Sequence, residues 1–538
     1  MLFNSAEFIF GFLPLTLIGF YLLDSRSRPW ALRWLILASL GFYAWWRPLN
    51  VLIIAPSILI NLIAAEILQR LSANDQRRGL ARVVLILGIA FNVCFLGYFK
   101  YTDFFLGAVN DTVGTHFVLL HIVLPLGISF ITFQKIAFLV DVYSGRIKSF
   151  TIQDYCLFVL FFPQLIAGPI VHYREVMPQF NTPARQVNKE NLAVGFTMFF
   201  FGLFKKVVLA DNIAAQVTPL YDQAAAGSHA SLLVAWMAAL GFTLQLYFDF
   251  SGYTDMALGL GRLFGVRLPP NFNSPLKATS IIDFWLRWHM TLTRFLTAYI
   301  YNPLTLWLTR RRAAKGKPGM SGRNTTLATF LQLLAFPTLL TMFISGLWHG
   351  AGYLFVMWGL VHGVYLTINH GWRLIAARLW TNRQRYTRIM KPIGGVATFI
   401  AVVAAMVLFR STTVGAAASL LKGMVGLSGI TLPAALQTHL GPLKALVASD
   451  GTSLSDLAVL FAWIIPALLI ALILPNTLQI VARYEPAFGV KPSPLPGWLL
   501  ERMLKWRPSL TWAVAMSIIA AIGVYSLGGP SEFLYWQF

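Results

Sequence analysis

The amino-acid sequence predicts an all-α polytopic membrane protein with roughly 11 to 12 transmembrane helices. Hydrophobic residues make up 57% of the 538 residues, and the mean hydropathy is +0.66. Apolar runs long enough to cross a bilayer recur from the first residues to the last, separated by short basic segments. A single integral-membrane domain over residues 1–538 is the simplest organisation.

The candidate spans are predicted to be helices because lipid offers the backbone no hydrogen-bond partners, and a helix satisfies its own. The N-terminal run lacks a leading basic region and a cleavage site, so we expect it to remain as the first span. The predicted spans are 5–23, 31–46, 50–69, 83–99, 117–140, 193–211, 231–250, 326–346, 351–370, 394–410, 456–474 and 511–528.

The formal net charge of +22 is distributed as short basic segments between the apolar runs, not as a basic face on a soluble domain. This pattern is typical of membrane topology rather than nucleic-acid binding, because cytoplasmic loops collect Lys and Arg. We therefore predict an N terminus outside the cytoplasm and outer segments at 212–230 and 411–450. The predicted cytoplasmic segments are 26–28, 70–82, 310–317, 373–391 and 483–507.

Two apolar segments break this alternation and are predicted to begin and end on the cytoplasmic side. Residues 155–171 contain Pro163 and Gly168, which favour a re-entrant hairpin over one continuous helix. Residues 281–308 mix charged residues into an apolar pattern before Pro303, which we expect to end the helix. Backbone broken at membrane depth must be surrounded by protein or line an aqueous cavity. The two segments therefore predict an enclosed cavity.

A disulfide framework, a metal centre and an appended soluble catalytic domain are poorly supported. Cys94 and Cys156 lie inside apolar runs, where we predict buried packing roles. None of the nine histidines forms a His-x-x-x-His pair, so no metal is expected. The chain also has no Gly-rich phosphate loop, dinucleotide fingerprint or Gly-x-Ser-x-Gly motif.

His349 is the leading candidate for catalysis. It lies in Ser-Gly-Leu-Trp-His-Gly-Ala-Gly (345–352), inside a region from 327 to 366 without Asp, Glu, Lys or Arg. The glycines would let the chain turn and expose the imidazole to a cavity. A histidine can take a proton from a hydroxyl and return it, as transfer from a thioester requires. A buried structural histidine is the competing interpretation, and for His362 it is the favoured one.

His289 is the second candidate. At a helical pitch it falls on the same side as Trp285 and Trp288, while Asp283 and Arg287 fall on the other side with the spacing of an ion pair. Periodicity leaves two interpretations open for His289, a catalytic role or a hydrogen bond within a packed face.

Two carboxylates and two lysines inside apolar stretches have ambiguous roles. Asp249 and Asp255 are predicted to end an apolar span and to order the following loop, in preference to transferring protons. Lys205 and Lys206 either snorkel to an interface or contact an anionic substrate.

Short motifs occur in a fixed order over most of the chain: Leu-Pro-Leu-Gly-Ile-Ser-Phe (124–130), Phe-Pro-Gln-Leu-Ile-Ala-Gly-Pro-Ile (162–170), 245–256, Asn-Phe-Asn-Ser-Pro (271–275), Asp-Phe-Trp-Leu-Arg-Trp-His (283–289) and Gly-Leu-Trp-His-Gly-Ala (346–351). This order resembles the membrane-bound O-acyltransferase family, and within it the branch of the bacterial alginate O-acetylase. The ending Phe-Leu-Tyr-Trp-Gln-Phe (533–538) resembles the aromatic C terminus of the polysaccharide-acetylating branch.

The resemblance implies a ring of transmembrane helices around a central channel, with cytosolic and outer funnels meeting near the family histidine. That histidine falls on His349 in this sequence, and His289 matches the second, more variable polar position. Leu286 stands where many relatives have a basic residue, so the residues that contact the acyl donor are not assigned.

The resemblance further implies that acetyl-CoA enters from the cytosol of a bacterial cell and that the acceptor approaches from outside the inner membrane. The expected product is an O-acetylated exopolysaccharide such as alginate or cellulose. The expected partners are a periplasmic or membrane-anchored hydrolase-like acetyltransferase and the polysaccharide synthase and export machinery. The direct acceptor is then either a sugar hydroxyl or a serine of the partner protein.

Two alternatives remain open from the sequence. Within the family, a D-alanyl transferase for teichoic acid uses the same scaffold with a carrier-protein thioester as donor. From another class, a transporter or flippase would use the buried histidines to bind substrate or protons. The chain shows no inverted repeat, which disfavours the transporter.

Overall fold

The computed structural model describes residues 1–72, 74–181, 187–321, 325–432, 437, 447–448, 454–492, 497, 501, 503–529 and 534. Of the C-terminal motif 533–538, only Leu534 is among the described residues. The chain forms two compact units. The first comprises 1–204, 252–271 and 477–528, and the second comprises 205–251, 272–476 and 529–538.

The described residues are mostly helical, which confirms the all-α prediction. Their strand content is one pair two residues long, with Ile430–Thr431 parallel to Val447–Ala448. The helices are α1 Leu13–Asp24, α2 Arg28–Ala44, α3 Leu49–Ser72, α4 Arg78–Val113, α5 Ile128–Tyr143, α6 Ile152–Leu160, α7 Phe162–Leu165, α8 Tyr173–Phe180, α9 Lys189–Phe204, α10 Asp211–Ala225, α11 Leu232–Leu263, α12 Ile281–Trp285, α13 Met290–Leu296, α14 Asn302–Ala313, α15 Leu327–Phe330, α16 Phe336–His349, α17 Tyr353–Leu379, α18 Arg383–Arg410, α19 Val414–Met424, α20 Leu454–Leu472, α21 Thr477–Ile480 and α22 Leu510–Tyr525.

Several of these helices are joined through π-helical turns into longer continuous elements. The turns are Glu7–Phe12, Lys205–Ala210, Thr297–Tyr301 and Leu331–Ala335. Within the described residues, eight helical elements are long and apolar enough to cross a membrane: Glu7–Asp24, Leu49–Ser72, Asp75–Val113, Lys189–Ala225, Leu232–Leu263, Leu327–His349, Arg383–Arg410 and Leu454–Leu472. This set confirms a multi-pass membrane protein.

The predicted span at 117–140 is wrong in its first half. The chain between α4 and Gly127 is not helical, and α5 begins only at Ile128. Gly127 has a φ of +68°, and a Cβ there would lie 2.7 Å from the carbonyl oxygen of Leu165, so only glycine fits this turn. Nearly all of α5 is buried, Lys135 included, so it is an internal helix of the first unit.

The predicted break within 155–171 is present in the first unit. α6 ends at Leu160, Phe161 leaves the helical region with a ψ of 109°, and Pro163 starts the single turn of α7. Phe162 then packs among the rings of Phe3, Phe8 and Phe42, with centroid distances of 5.5 to 6.4 Å. A hairpin that enters and leaves the membrane on one side stays a prediction.

Two further expectations are corrected. The prediction that both cysteines are buried is wrong: Cys94 is exposed on α4, Cys156 is half-buried, and both thiols are free. Asp249 and Asp255 do not end a span, because α11 continues as helix from Leu232 to Leu263. A continuous run of helix-compatible residues without proline carries the chain through these polar positions.

The segment 281–308 is not one helix. It breaks after Trp285 and resumes at Met290, because His289 takes a left-handed conformation with φ 42° and ψ 51°. Pro303 does not end the helix as predicted. It lies in the first turn of α14, where a missing N–H is tolerated, and the π-helical turn Thr297–Tyr301 precedes it.

Candidate functional site

The candidate site is built on the helical hairpin of α16 and α17 in the second unit. α16 ends at His349 because Gly350 is extended, and α17 begins at Tyr353 after three intervening residues. The two helices pack closely, since a Cβ at Gly359 would lie 2.3 Å from the carbonyl oxygen of Met342. The predicted glycine-rich turn is therefore present, and it places His349 at the end of a helix.

His289 and His349, predicted separately from the sequence, lie next to each other. Their ring centroids are 6.2 Å apart, and Trp348 contacts both rings at 5.8 and 4.9 Å. His289 is fully buried, and 3% of His349 is exposed. The His349 side chain is therefore almost completely enclosed by its neighbours.

His349 also contacts two further rings. Trp358 of α17 lies 5.0 Å from the His349 ring centroid, and Phe409 of α18 lies 5.3 Å away. Trp358 also contacts His362 at 4.9 Å. The three histidines are thus connected through aromatic rings.

The Asp-Phe-Trp-Leu-Arg-Trp-His motif fixes His289 through the residues around its turn. Arg287 Nε donates to Asp283 Oδ1 at 2.7 Å, which confirms the predicted ion pair. The backbone N–H of Asn273 donates to the backbone carbonyl of Arg287 at 3.0 Å. The His289 ring, as predicted, points among aromatic residues, 4.8 Å from Phe250. The motif holds a conformation that non-glycine residues rarely adopt.

The Asn-Phe-Asn-Ser-Pro motif is anchored to the end of α20. Asn476 donates to the side chains of Asn273 and Ser274 at 3.1 and 2.9 Å, and Lys277 Nζ donates to the Leu474 carbonyl at 2.6 Å. Burial, and then the nearby Arg287 guanidinium, lower the pKa of Lys277. This anchoring positions the segment that precedes His289.

Two substitutions of His289 are expected to distinguish the contribution of the imidazole ring from that of the left-handed backbone turn. His289→Gly removes the imidazole and relieves the turn, because glycine favours positive φ, whereas His289→Ala removes the imidazole and keeps about 1 kcal/mol of left-handed strain that glycine does not have. We expect both to lower turnover, with the alanine variant melting at a lower temperature than the glycine variant. Turnover assays and thermal unfolding of the two variants test this, and unchanged turnover in His289→Gly would make the ring structural.

His362 is also fully buried, and its partner was not predicted. Trp285 Nε1 donates to His362 Nδ1 at 3.3 Å, and the stacked ring of Phe284 lies 6.1 Å away. The spacing of 77 residues between Trp285 and His362 hides this bond from any local sequence pattern.

A cavity of about 1170 Å³ lies between α17, α18 and the segment 279–281. Its walls carry three cations, Arg373, Arg383 and Lys391. They also carry aromatic residues, and Trp372 Nε1 donates to the Tyr386 hydroxyl at 3.0 Å across the two helices. The sequence predicted 373–391 only as a cytoplasmic basic segment, because pairing of the two helix ends is not a local feature.

The inner wall of this cavity reaches the histidines. Tyr365 lines the cavity, and its ring centroid lies 5.8 Å from that of His362. Asn369 Oδ1 accepts the backbone N–H of Ile282 at 3.2 Å, which ties the start of α12 to α17. Aromatic contacts therefore run from the cavity through His362 and Trp358 to His349.

Lys206 forms an internal ion-pair network in the second unit. Its Nζ lies 2.7 Å from both Asp211 Oδ1 and Asp249 Oδ1, and Lys206 and Asp249 are each 1% exposed at the side chain. The amide of Leu534 donates to Asp249 Oδ2 at 3.3 Å. Lys206 therefore does not snorkel, and Asp249 does not order a following loop. Lys205 is half-buried.

Asp255 belongs to the first unit and accepts a hydrogen bond from the Thr477 hydroxyl at 2.6 Å. Among the residues that the structure covers, no group of three His, Cys, Asp or Glu side chains forms a possible metal site.

Comparison with known proteins identifies relatives over most of the chain. Residues 142–409 match the family model described as MBOAT, membrane-bound O-acyltransferase family. A peptidoglycan O-acetyltransferase of Helicobacter pylori is 40% identical, covering 80% of this chain and 81% of the relative. A probable alginate O-acetylase of Pseudomonas aeruginosa is 38% identical, covering 76% and 72%. A teichoic acid D-alanyltransferase of Bacillus subtilis is 28% identical, covering 48% and 63%.

Proposed function

The chain belongs to the membrane-bound O-acyltransferase family, and from that premise we propose that it transfers acetyl groups from cytosolic acetyl-CoA to a hydroxyl acceptor outside a bacterial inner membrane. Membership makes it a multi-pass membrane acyltransferase. The observation that carries the proposal is the contact of His289 and His349, each supplied by a family-like motif, at a centroid distance of 6.2 Å. The N terminus lies on the outer side in this proposal.

His349 acts as the general base in the proposed reaction. It takes the proton of the acceptor hydroxyl as the oxygen attacks the thioester carbonyl carbon. A C–O bond forms, the C–S bond breaks, and the leaving CoA thiolate takes the proton back from His349. His289 and Trp348 hold the His349 ring in position through the contacts described above.

The donor enters through the cavity between α17 and α18. A CoA molecule carries phosphates and an adenine, and the cavity offers cations for the former and aromatic faces for the latter. Along α17, 14 residues separate Trp372 from Trp358, or about 21 Å of helix. An extended phosphopantetheine arm spans a length of this order, so its thioester would approach the histidine cluster.

The cavity assignment predicts a selective loss of donor affinity. Replacing Arg383 and Lys391 together with alanine is expected to raise the KM for acetyl-CoA about tenfold or more, with kcat little changed, since two phosphate contacts are lost. Steady-state kinetics of the double variant test this. Arg388→Ala is the control, because Arg388 is exposed on α18 and does not line the cavity. An equal effect of both changes would reject the assignment.

The final acceptor is a glycan outside the inner membrane. The relatives are named for peptidoglycan and alginate, and we propose a polymer of this kind, with cellulose as a further candidate. A periplasmic or membrane-anchored hydrolase-like partner receives the acetyl group on a serine and delivers it to the sugar, near the synthase and export machinery. The same His349 chemistry serves a serine or a sugar hydroxyl.

The decisive test of donor identity uses the purified full-length protein in lipid nanodiscs. Acetyl-CoA with a hydroxyl acceptor should yield free CoA, which a thiol reagent detects. Release of D-alanine from its carrier-protein thioester, with acetyl-CoA untouched, would instead favour the activity for which the Bacillus subtilis relative is named. Consumption of neither donor would favour a transporter and reject the proposal.

A further inference from the structure

Two buried N–H groups lie on one face of α17, and the ring that carries the first of them, Trp358, contacts His349 at 5.0 Å. Trp358 and His362 are four residues apart, and their rings are 4.9 Å apart. Trp358 is 1% exposed and His362 is fully buried. In the part of the chain that the structure describes, neither Trp358 Nε1 nor His362 Nε2 has a hydrogen-bond partner.

The tautomer of His362 follows from its bond to Trp285. An indole nitrogen only donates, so the 3.3 Å contact makes His362 Nδ1 the acceptor. In the neutral imidazole the proton must then lie on Nε2. Both Nε2 of His362 and Nε1 of Trp358 are therefore donors, held inside the protein by packed aromatic neighbours.

Buried donors without acceptors are rare, because their desolvation is not repaid. The two donors lie on adjacent helical turns, Trp358 next to the proposed base and His362 next to Tyr365 of the cavity wall. Their placement indicates that a ligand brings the hydrogen-bond acceptor. N–H donors of this kind stabilise the negative charge that develops on the carbonyl oxygen during acyl transfer.

We propose that Trp358 and His362 bind the carbonyl oxygen of the acyl group, and that this pair of donors is an oxyanion site of the enzyme. The inference rests on the proposed function, because it needs a thioester donor. When the acceptor oxygen attacks the carbonyl carbon, the C=O electron pair moves onto the oxygen held by the two N–H groups. The pair returns as the C–S bond breaks, and the proton travels through His349.

Binding of two unreactive CoA analogues tests the proposal without turnover. Acetonyl-dethio-CoA keeps a carbonyl near the thioester position, and its matched analogue has a methylene in place of that ketone. The wild-type protein in nanodiscs should bind the ketone about tenfold or more tightly than the methylene compound. Equal binding of the two by wild type overturns the oxyanion site and leaves the CoA donor standing. If the wild-type protein binds neither analogue, the proposal that CoA carries the acyl group is rejected as well.

Variants that remove each donor in turn test whether the preference for the ketone comes from these two groups. Trp358→Phe and His362→Leu should each erase most of the preference for the ketone and lower kcat about 10²-fold, with the affinity for the methylene compound retained. His362→Gln keeps an N–H near the Nε2 position and should recover part of both. The proposal is overturned if Trp358→Phe and His362→Leu keep the preference for the ketone. It is also overturned if His362→Gln shows no more ketone preference and no higher kcat than His362→Leu.

Two control variants remove comparable groups elsewhere in the second unit. Trp236→Phe deletes an indole donor that bonds the Met424 carbonyl at 3.0 Å, and His370→Leu deletes a half-buried imidazole further along α17. Both should keep the wild-type preference for the ketone. Loss of the preference in either control would show that it reports general packing and would overturn the assignment.

Discussion

Replacing His349 with alanine is expected to lower acetyl transfer by about 10²- to 10⁴-fold, the range that a positioned acid–base group contributes. The residue ends α16 in contact with His289 and Trp358, so the change removes the proposed base at the centre of the cluster. CoA release by the purified variant, at saturating donor and acceptor, is the measurement.

The control for this variant is His229→Ala, which removes an exposed imidazole from the second unit. Membrane abundance and melting temperature should stay close to wild type in both variants, because a neighbouring ring can fill part of the space left by His349. Activity retained by folded His349→Ala would reject His349 as the base.

Replacing Lys206 with methionine is expected to destabilise the protein by about 3 to 5 kcal/mol, which is typical when one partner of a buried ion pair is removed. Asp249, 1% exposed at the side chain, would lose the cation at 2.7 Å that compensates its charge. The neighbouring Phe250 contacts His289 at 4.8 Å, so activity should fall together with stability. Thermal unfolding in nanodiscs is the measurement.

Lys205→Met is the matched control, because it removes the same charge from the adjacent half-buried position. The double variant Lys206→Met, Asp249→Leu should recover much of the lost stability, since it removes the more deeply buried carboxylate and leaves only Asp211, 13% exposed at the side chain, without the cation. A melting temperature of Lys206→Met equal to that of the control would contradict the structural role of the network.

The histidine cluster could be predicted in part because its signal is local. An imidazole in a long stretch without charged residues stands out at His349, and the glycines around it predict the turn that the structure contains. A helical pitch correctly predicted that the His289 ring points toward aromatic residues, although the helix breaks at this position. The left-handed turn was missed because a histidine gives no such signal.

Features made by distant residues could not be predicted in the same way. The cations of the cavity were recognised as a cytoplasmic segment, yet their convergence depends on how α17 and α18 pair. Asp249, one of the two partners of Lys206, lies 43 residues away, and the partner of His362 lies 77 residues away, both beyond any periodic pattern. The span predicted at 117–140 failed in its first half because an apolar run does not by itself require a helix: residues 117–127 are not helical, and α5 begins at Ile128 after the left-handed turn at Gly127.

Transfer of a labelled acetyl group across a sealed bilayer tests the central claim most directly. Proteoliposomes would hold acetyl-CoA labelled in the acetyl group on one side and a membrane-impermeant hydroxyl acceptor on the other. The account predicts labelled ester on the acceptor with the wild-type protein, and none with His349→Ala. Label that never reaches the acceptor, or reaches it equally well without the His349 imidazole, would contradict the account.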